Sequence, residues 1–388
     1  MTPAPPRLGE VVALLDALYD PRDAQSWDAV GLVTGDPEQP VRRVLFAVDP
    51  VQEVIDEAAA WPADLVVAHH PLLLRGVRSV AADHPKGRAV TALVRAGLAL
   101  HVAHTNADVA DPGVSDALAG ALGLVDLSPL EPAAVPALVK VVTFVPSAHV
   151  QRVIDAMATA GAGRLGDYER AAFLSEGTGT FRPLAGANPA VGSVGRVEQV
   201  AETRVEMTVS PSQVPGVVAA LRAAHPYEEP AYDLLGQVPT AGTKGLGRVG
   251  RLPEPVPLRV FAAQVAARLP WTAAGVRVAG HPDQQVTSVA VVGGAGDDMF
   301  GSVRARGVDA YVTADLRHHP ASEAREHGRP ALVDCSHWAT EWPWLGQAER
   351  LLRESLGPRA TTVETRISRI VTDPWGFRPD SDHPGSEH

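Results

Sequence analysis

A single cysteine, Cys335, stands among 388 residues. It rules out an intrachain disulfide, leaves no thiolate pair to compete for a metal, and suits a reducing cytoplasm. Positive charge is also scarce: 34 Lys and Arg against 45 Asp and Glu give a formal net charge of -11. Nucleic-acid binding needs a basic footprint, and no run of Lys or Arg offers one, so no nucleic-acid partner is expected. No apolar run reaches membrane-spanning length, and the start, MTPAPPRLGEVVALLDALYD, lacks a signal-peptide core. The expectation is a cytoplasmic protein with no membrane partner. Several signature motifs are missing as well. GTKGLGRVG has no Lys-Ser/Thr at P-loop spacing, GGAG (293–296) falls short of GxGxxG and suits a tight strand-to-helix turn, and no Ser-His-Asp or reactive-Cys arrangement can be assembled.

What is present describes a globular chain, with 45% hydrophobic and 20% charged residues, too long for one ordinary core. From Leu8 to about Ser128, helical patterns alternate with short apolar runs at 44–48, 65–68 and 98–103, which indicates crossover units and a mainly parallel sheet. The Pro-rich stretch LSPLEPAAVPAL reads as a linker. After it comes a repeat: KVVTFVPSAHVQRVIDAMATAGAG and VEMTVSPSQVPGVVAALRAAHP each hold a strand, a Pro-Ser helix start and an apolar-periodic helix. Two such halves with strands between and after them predict a split βαβ, ferredoxin-like α+β insert. AGTKGLGRVGRLPEP reads as the return loop, and a second α/β half follows. The expected fold class is therefore α/β: two related halves forming one unit, at 1–130 and 238–375, interrupted by an insert at 138–237. A disordered tail is expected at 376–388.

The chemistry lies at the ends of the apolar runs. His69 and His70 precede Pro71, Asp108 closes AHTNAD, and His337 and Glu341 in CSHWATE are spaced i, i+4 on one helix face. Strand ends are where open α/β sheets collect ligand sites. Five N/O donors exceed the needs of one four-coordinate ion, whereas two ions sharing a carboxylate would use them all. Glu341 is the natural bridge. Ions ~3.5–4 Å apart would hold a shared hydroxide and clamp both oxygens of a displacement. The mixed set suits Zn, Mn, Fe, Co or Ni better than Mg or Ca. Each element also has a structural reading: His-His before Pro as a loop feature, HxxxE as an ion pair, Asp after a strand as a helix cap. His104 and Asp315 are candidates for proton transfer, while His318 and His319 fit either outer-sphere groups or an exposed helix start. Trp338, Trp342 and Trp344 suit packing better than base stacking.

SWDAVGL, VVAHHPLL, AHTNAD, VTADLRHH and SHWATE, in that order, resemble the Nif-three-like dinuclear metal proteins, a family known as GTP cyclohydrolase I type 2 homologs. TGTFRPLAGANPAVG and HPYEEPAYDLL resemble the PII/CutA-like insert of its longer members. The resemblance implies His69, His70, Asp108, His337 and Glu341 as ligands of two divalent ions, and a toroidal homohexamer with the sites facing an internal cavity. It also implies a nucleotide-like small-molecule substrate, GTP by the family's name. Ala29 stands where the family has Asn, and Ala314 where it has Gly. Two functions follow as expectations: a metal-dependent hydrolase working through a metal-bridging hydroxide, or a non-catalytic metal-binding or small-molecule-sensing hexamer.

Overall fold

The computed structural model describes residues 4–134, 137–239 and 241–378, so most of the tail expected at 376–388 lies outside the described residues. Two compact units are present, Met1–Ala133 with Thr243–His388, and Ala134–Gly242.

The chain opens with α1 (Leu8–Leu18), whose Leu8, Val11 and Leu15 recur at helical spacing and are buried. There follow β1 (Gly31–Thr34), β2 (Arg43–Ala47), α2 (Gln52–Ala60), β3 (Leu65–Ala68), α3 (Pro85–Ala96) and β4 (Ala99–Val102). α3 ends on Gly97 at φ 63°, a left-handed cap that glycine adopts without a Cβ penalty. Two short helices, α4 (Thr105–Val109) and α5 (Val114–Ala121), lead to β5 (Val125–Ala134).

The second unit holds β6 (Val139–Pro146), α6 (Val150–Thr159), β7 (Phe173–Phe181), β8 (Glu198–Val209), α7 (Val214–Ala224) and β9 (Tyr232–Gly236). Its sheet runs β7-β8-β6-β9, with every neighbouring pair antiparallel. Both helices cover one face, where Val153, Ile154, Met157, Val217 and Leu221 pack with Val141, Val145, Val205 and Met207. Side chains alternate along strands, so Phe144, Glu202, Arg204 and their β7 neighbours point to the other face.

The chain returns through β10 (Ala241–Pro257) to α8 (Leu258–Arg268), β11 (Arg277–Ala279), β12 (Gln285–Ala295), α9 (Phe300–Arg306), β13 (Ala310–Ala314), α10 (His318–Glu326), β14 (Ala331–Cys335), α11 (His337–Leu356) and β15 (Glu364–Ile367). The first unit thus contains two sheets, β1-β4-β3-β2-β15 and β11-β14-β13-β12-β10-β5. In each, three parallel strands (β2, β3, β4 and β12, β13, β14) carry an antiparallel edge, β1 or β11. Of these parallel strands, β2, β3, β4, β13 and β14 are buried on almost every residue, as strands covered on both faces must be. The last strand of each half crosses over. β15 pairs parallel to β2, and β5 lies beside β10.

Two segments therefore differ from expectation. The Pro-rich stretch is not a linker up to Ala134 but β5, at the edge of its sheet, where Pro129 and Pro132 cost no ladder bonds to a further strand. The expected return loop is β10, paired with β12 over residues 248–251 and 256–257 around a break in register. Glycine-rich composition hid it, because Gly245 and Gly247 take positive φ before the ladder begins. One buried cation locks this exchange. Arg248 is 2% exposed, and its guanidinium donates to Asp116 Oδ1 (2.7 Å) and to the carbonyls of Ala110 (2.8 Å), Gly245 (2.7 Å) and Gly247 (2.8 Å). A charge taken out of water is tolerated only when its donors are matched in this way.

Candidate metal centre

Three strand ends converge in the first unit. His69 and His70 follow β3, and the amide of His70 donates to the Val48 carbonyl at 2.8 Å, which holds the turn against the end of β2. His104 follows β4, its amide donating to Asn106 Oδ1 (2.9 Å), while Asn106 Nδ2 donates to the Tyr19 carbonyl (2.6 Å). Asp108 lies one turn along α4. His337 opens α11 directly after β14, and Glu341 follows one turn later. The carboxyl ends of parallel strands from both halves thus supply one site.

Glu341 is its centre. Its Oε1 lies 2.9 Å from His337 Nε2 and 3.5 Å from His69 Nε2, and its Oε2 lies 3.1 Å from His70 Nε2. Asp108 Oδ1 is 3.8 Å from His69 Nε2. His104 joins from the far side: one ring nitrogen from each of His69, His70 and His104 lies within 4.8 Å of the others, and His70, His337 and Glu341 form a second such group. The five residues singled out as ligands are therefore brought together, and His104 with them. Asp315 sits behind His337. His318 and His319 begin α10 exposed to solvent and take no part.

Each imidazole is braced from behind. The Nδ1 of His69 faces the Ala103 carbonyl (2.9 Å), that of His70 faces Asp49 Oδ1 (2.7 Å), that of His104 faces Asp28 Oδ1 (2.9 Å), and that of His337 faces Asp315 Oδ2 (2.7 Å). Oxygen partners on Nδ1 fix that nitrogen as the protonated one, so in the neutral ring the lone pair is on Nε2. Asp28 is itself anchored, accepting from the Thr105 amide (3.0 Å) and hydroxyl (2.5 Å). Two buried atoms at the centre, His69 Nε2 and Glu341 Oε2, have no hydrogen-bond partner among the described residues; His70 Nε2 is near Oε2 but out of line for one. Orphaned buried polar atoms are rare and call for an explanation.

The electrostatics point the same way. Burial opposes charge on His337, but Glu341 and Asp315 prevail and push it to about 10. Burial likewise opposes charge on His70 and His69, yet Glu341, with Asp49 at His70, raises both. Glu341 is held well below its ordinary value by the three imidazoles, against burial. Asp108 is pushed up to about 6, chiefly by burial. His104 is different, since burial and then His69 lower it and favour the neutral ring. The site's carboxylates leave it short of positive charge.

Sequence reading passed over three contributors. Asp49 and Asp28 brace histidines, and the only signal was their place beside strand ends and in SWDAVGL. The third is Gly294, at φ +69°, where a Cβ would come 2.5 Å from Glu341 Oε1 and 3.0 Å from His337 Nε2. GGAG is thus where the backbone gives way to the site. Of the three tryptophans, Trp344 is fully buried, with its ring 5.3 Å from that of His69 and its Nε1 donating to Tyr19 Oη at 3.1 Å. A cleft of about 570 Å³ opens beside the cluster, lined by His70, His337 and Asp315 together with Arg277, Asp334, Trp375 and Arg378.

The profile of the Duf34/NIF3 (NGG1p interacting factor 3) family matches residues 6–374. A Mycobacterium tuberculosis protein named GTP cyclohydrolase 1 type 2 homolog is 52% identical over 372 residues, 96% of this chain and 97% of its own. A Streptomyces coelicolor protein of the same name is 42% identical over 370 residues, 95% of this chain and 94% of its own. Among solved structures, a Bacillus cereus protein related to NIF3 has a TM-score of 0.72 at 37% identity, covering 96% of this chain and 99% of its own. With the profile spanning nearly its whole length and such relatives matching from end to end, the chain belongs to the Duf34/NIF3 family.

Proposed function

We propose that this protein holds two divalent cations through His69, His70, Asp108, His337 and Glu341, and that it is a metal-dependent hydrolase of a nucleotide-like substrate. The carrying observation is the set of braced imidazoles turned on one buried carboxylate, with His69 Nε2 and Glu341 Oε2 left without partners. Charge supports a pair of ions. With the imidazoles neutral, the carboxylates of Asp28, Asp49, Asp108, Asp315 and Glu341 carry about five negative charges, and two divalent ions offset about four. Nitrogen and carboxylate donors suit Zn, Mn, Fe, Co or Ni. When bound, such ions acidify water and stabilise an anionic transition state.

The chain's own residues do the rest. Trp375, 69% exposed, offers a stacking face for a planar base, and Arg378 on the same cleft favours an anionic group, while Arg277 is paired with Asp334. His104, kept neutral chiefly by burial and oriented by Asp28, is placed to accept a proton, and solvent-exposed Asp315 can pass one outward from His337. The name shared by the relatives suggests GTP as the first substrate to test. We assign the inserted unit to the ferredoxin-like, PII/CutA-like class on its element order, the flanking α/β halves to a duplicated arrangement, and the whole to a cytoplasmic homohexamer.

Protein loaded in turn with Zn, Mn, Fe, Co and Ni should consume GTP or a phosphodiester, and His69→Ala should abolish turnover. If wild type keeps about two ions per chain yet consumes no nucleotide, the non-catalytic reading replaces the hydrolase. Bracing has its own test. Asp49→Asn should weaken metal retention roughly 10- to 100-fold in chelator competition, because His70 loses the carboxylate that fixes its ring. Unchanged retention would show that Asp49 does not orient a ligand.

A further inference from the structure

The inserted unit carries a cavity of about 580 Å³ on the sheet face that α6 and α7 leave uncovered. Glycine makes it deep. Gly177 and Gly179 occupy alternate positions of β7 on that face and put no side chain into the floor. Phe144, Phe181 and Tyr227 supply aromatic walls, with the Phe181 and Tyr227 rings 5.6 Å apart. Residues 183–191 form the roof, tied down where the Asn188 amide donates to Glu228 Oε1 at 3.3 Å.

At the base lies Glu202, only 9% exposed. One of its oxygens accepts from Tyr227 Oη at 2.8 Å. The other rests over Gly179, where a Cβ would collide with it, and no side chain or amide among the described residues donates to it. Glu176, Glu228 and Glu229 add negative charge to the lining. The one arginine of the lining, Arg204, is paired through one edge: its Nε donates to Glu206 Oε1 at 2.8 Å, and its guanidinium lies 5.9 Å from the Phe144 ring centroid.

We infer that this cavity binds a small organic cation, an alkylammonium or quaternary ammonium group carried on an apolar body. A buried carboxylate with a free oxygen pairs with the charge, aromatic faces attract a cation and repel an anion, and the volume fits one ligand of metabolite size. An anionic ligand would meet four glutamates against one arginine, whose Nε is already paired with Glu206. This assignment is independent of the metal centre, which lies in the other unit.

The test is calorimetric titration of the full-length, metal-loaded protein with benzyltrimethylammonium chloride, with phenylacetate as an anion of similar shape. Saturable binding of one cation per chain and none of phenylacetate is expected. Glu202→Gln should weaken the cation at least about tenfold. Ala187→Trp, which fills the cavity from its roof without touching the helix-covered core, should abolish binding while the melting temperature and metal content stay unchanged. No saturable binding by wild type, equal binding of phenylacetate, or undiminished binding in the Ala187→Trp protein would each overturn the proposal. So would a drop in assembly mass on Ala187→Trp without cation binding, since the face would then be a contact between copies of this chain.

Discussion

Glu341→Gln is expected to strip the protein of both proposed ions while leaving it folded. Glutamine keeps the shape of the side chain, so the packing of α11 is undisturbed; what changes is the charge and one oxygen. No other carboxylate among the described residues reaches three imidazoles at once, with Nε2 atoms at 2.9, 3.1 and 3.5 Å from that of Glu341. The amide NH₂ of glutamine would present donors toward an ion, and the neutral group removes the charge that draws cations into a buried site. If Glu341 holds both proposed ions, its loss should weaken both together, by more than the roughly 10- to 100-fold expected for an outer partner such as Asp49. Elemental analysis after dialysis should therefore fall from about two ions per chain to near none. Thermal stability provides a second reading. Wild type at ligand concentrations about 100 times Kd gains about 2.7 kcal/mol from binding, and the variant should gain none on adding metal. A Glu341→Gln protein that retains a full complement of ions would remove the carboxylate from the centre of the site and end the dinuclear reading.

The convergence of distant segments was legible because His69 and His70 close one apolar run while Asp108, His337 and Glu341 open the helices that follow two others, and runs of that length and composition become parallel strands whose carboxyl ends cluster. His337 and Glu341 were legible for a second reason, since i, i+4 spacing on a helix needs no tertiary information. The bracing groups were not. Asp28 precedes β1 and meets His104 across 76 residues, a pairing that no local period encodes. The crossing strands were hidden for a related reason. β5 contains prolines and β10 opens with glycines, so both look like loops when propensity is read alone. Edge position rescues the first, and the partner strand β12 rescues the second.

That exchange of strands bears on how the site is held. His69, His70, His104 and Asp108 come from one half of the first unit, and His337 and Glu341 from the other. Were the halves joined only by a flat contact, small sliding motions would change distances that must hold to a fraction of an ångström. Instead β15 completes the sheet that ends in His69 and His70, and β5 lies in the sheet that leads to His337. Arg248 ties β10 to α5 through Asp116, and Trp344 on α11 packs against His69. Fixed spacing between halves is what a site built from both requires.

Gly294→Ala should empty the same centre without replacing any of the proposed ligands. At φ +69° an alanine costs roughly 1–2 kcal/mol in backbone strain alone. The larger effect is steric, because the new methyl would stand 2.5 Å from Glu341 Oε1 and 3.0 Å from His337 Nε2. The backbone cannot retreat: the Gly294 amide donates to Thr340 Oγ1 and its carbonyl accepts from Thr313 Oγ1, both at 2.9 Å. Nor can Glu341, which is 3% exposed and enclosed. The carboxylate must rotate out of reach of at least one imidazole, so metal content should fall nearly as far as in Glu341→Gln. Gly293→Ala separates this from general damage. Its methyl would press on Val114 Cγ1 at 2.7 Å and stay 3.6 Å from Glu341 Cγ, so that protein should melt earlier but keep its ions. Equal metal content in the two alanine variants would show that room beside Glu341 is not what Gly294 provides.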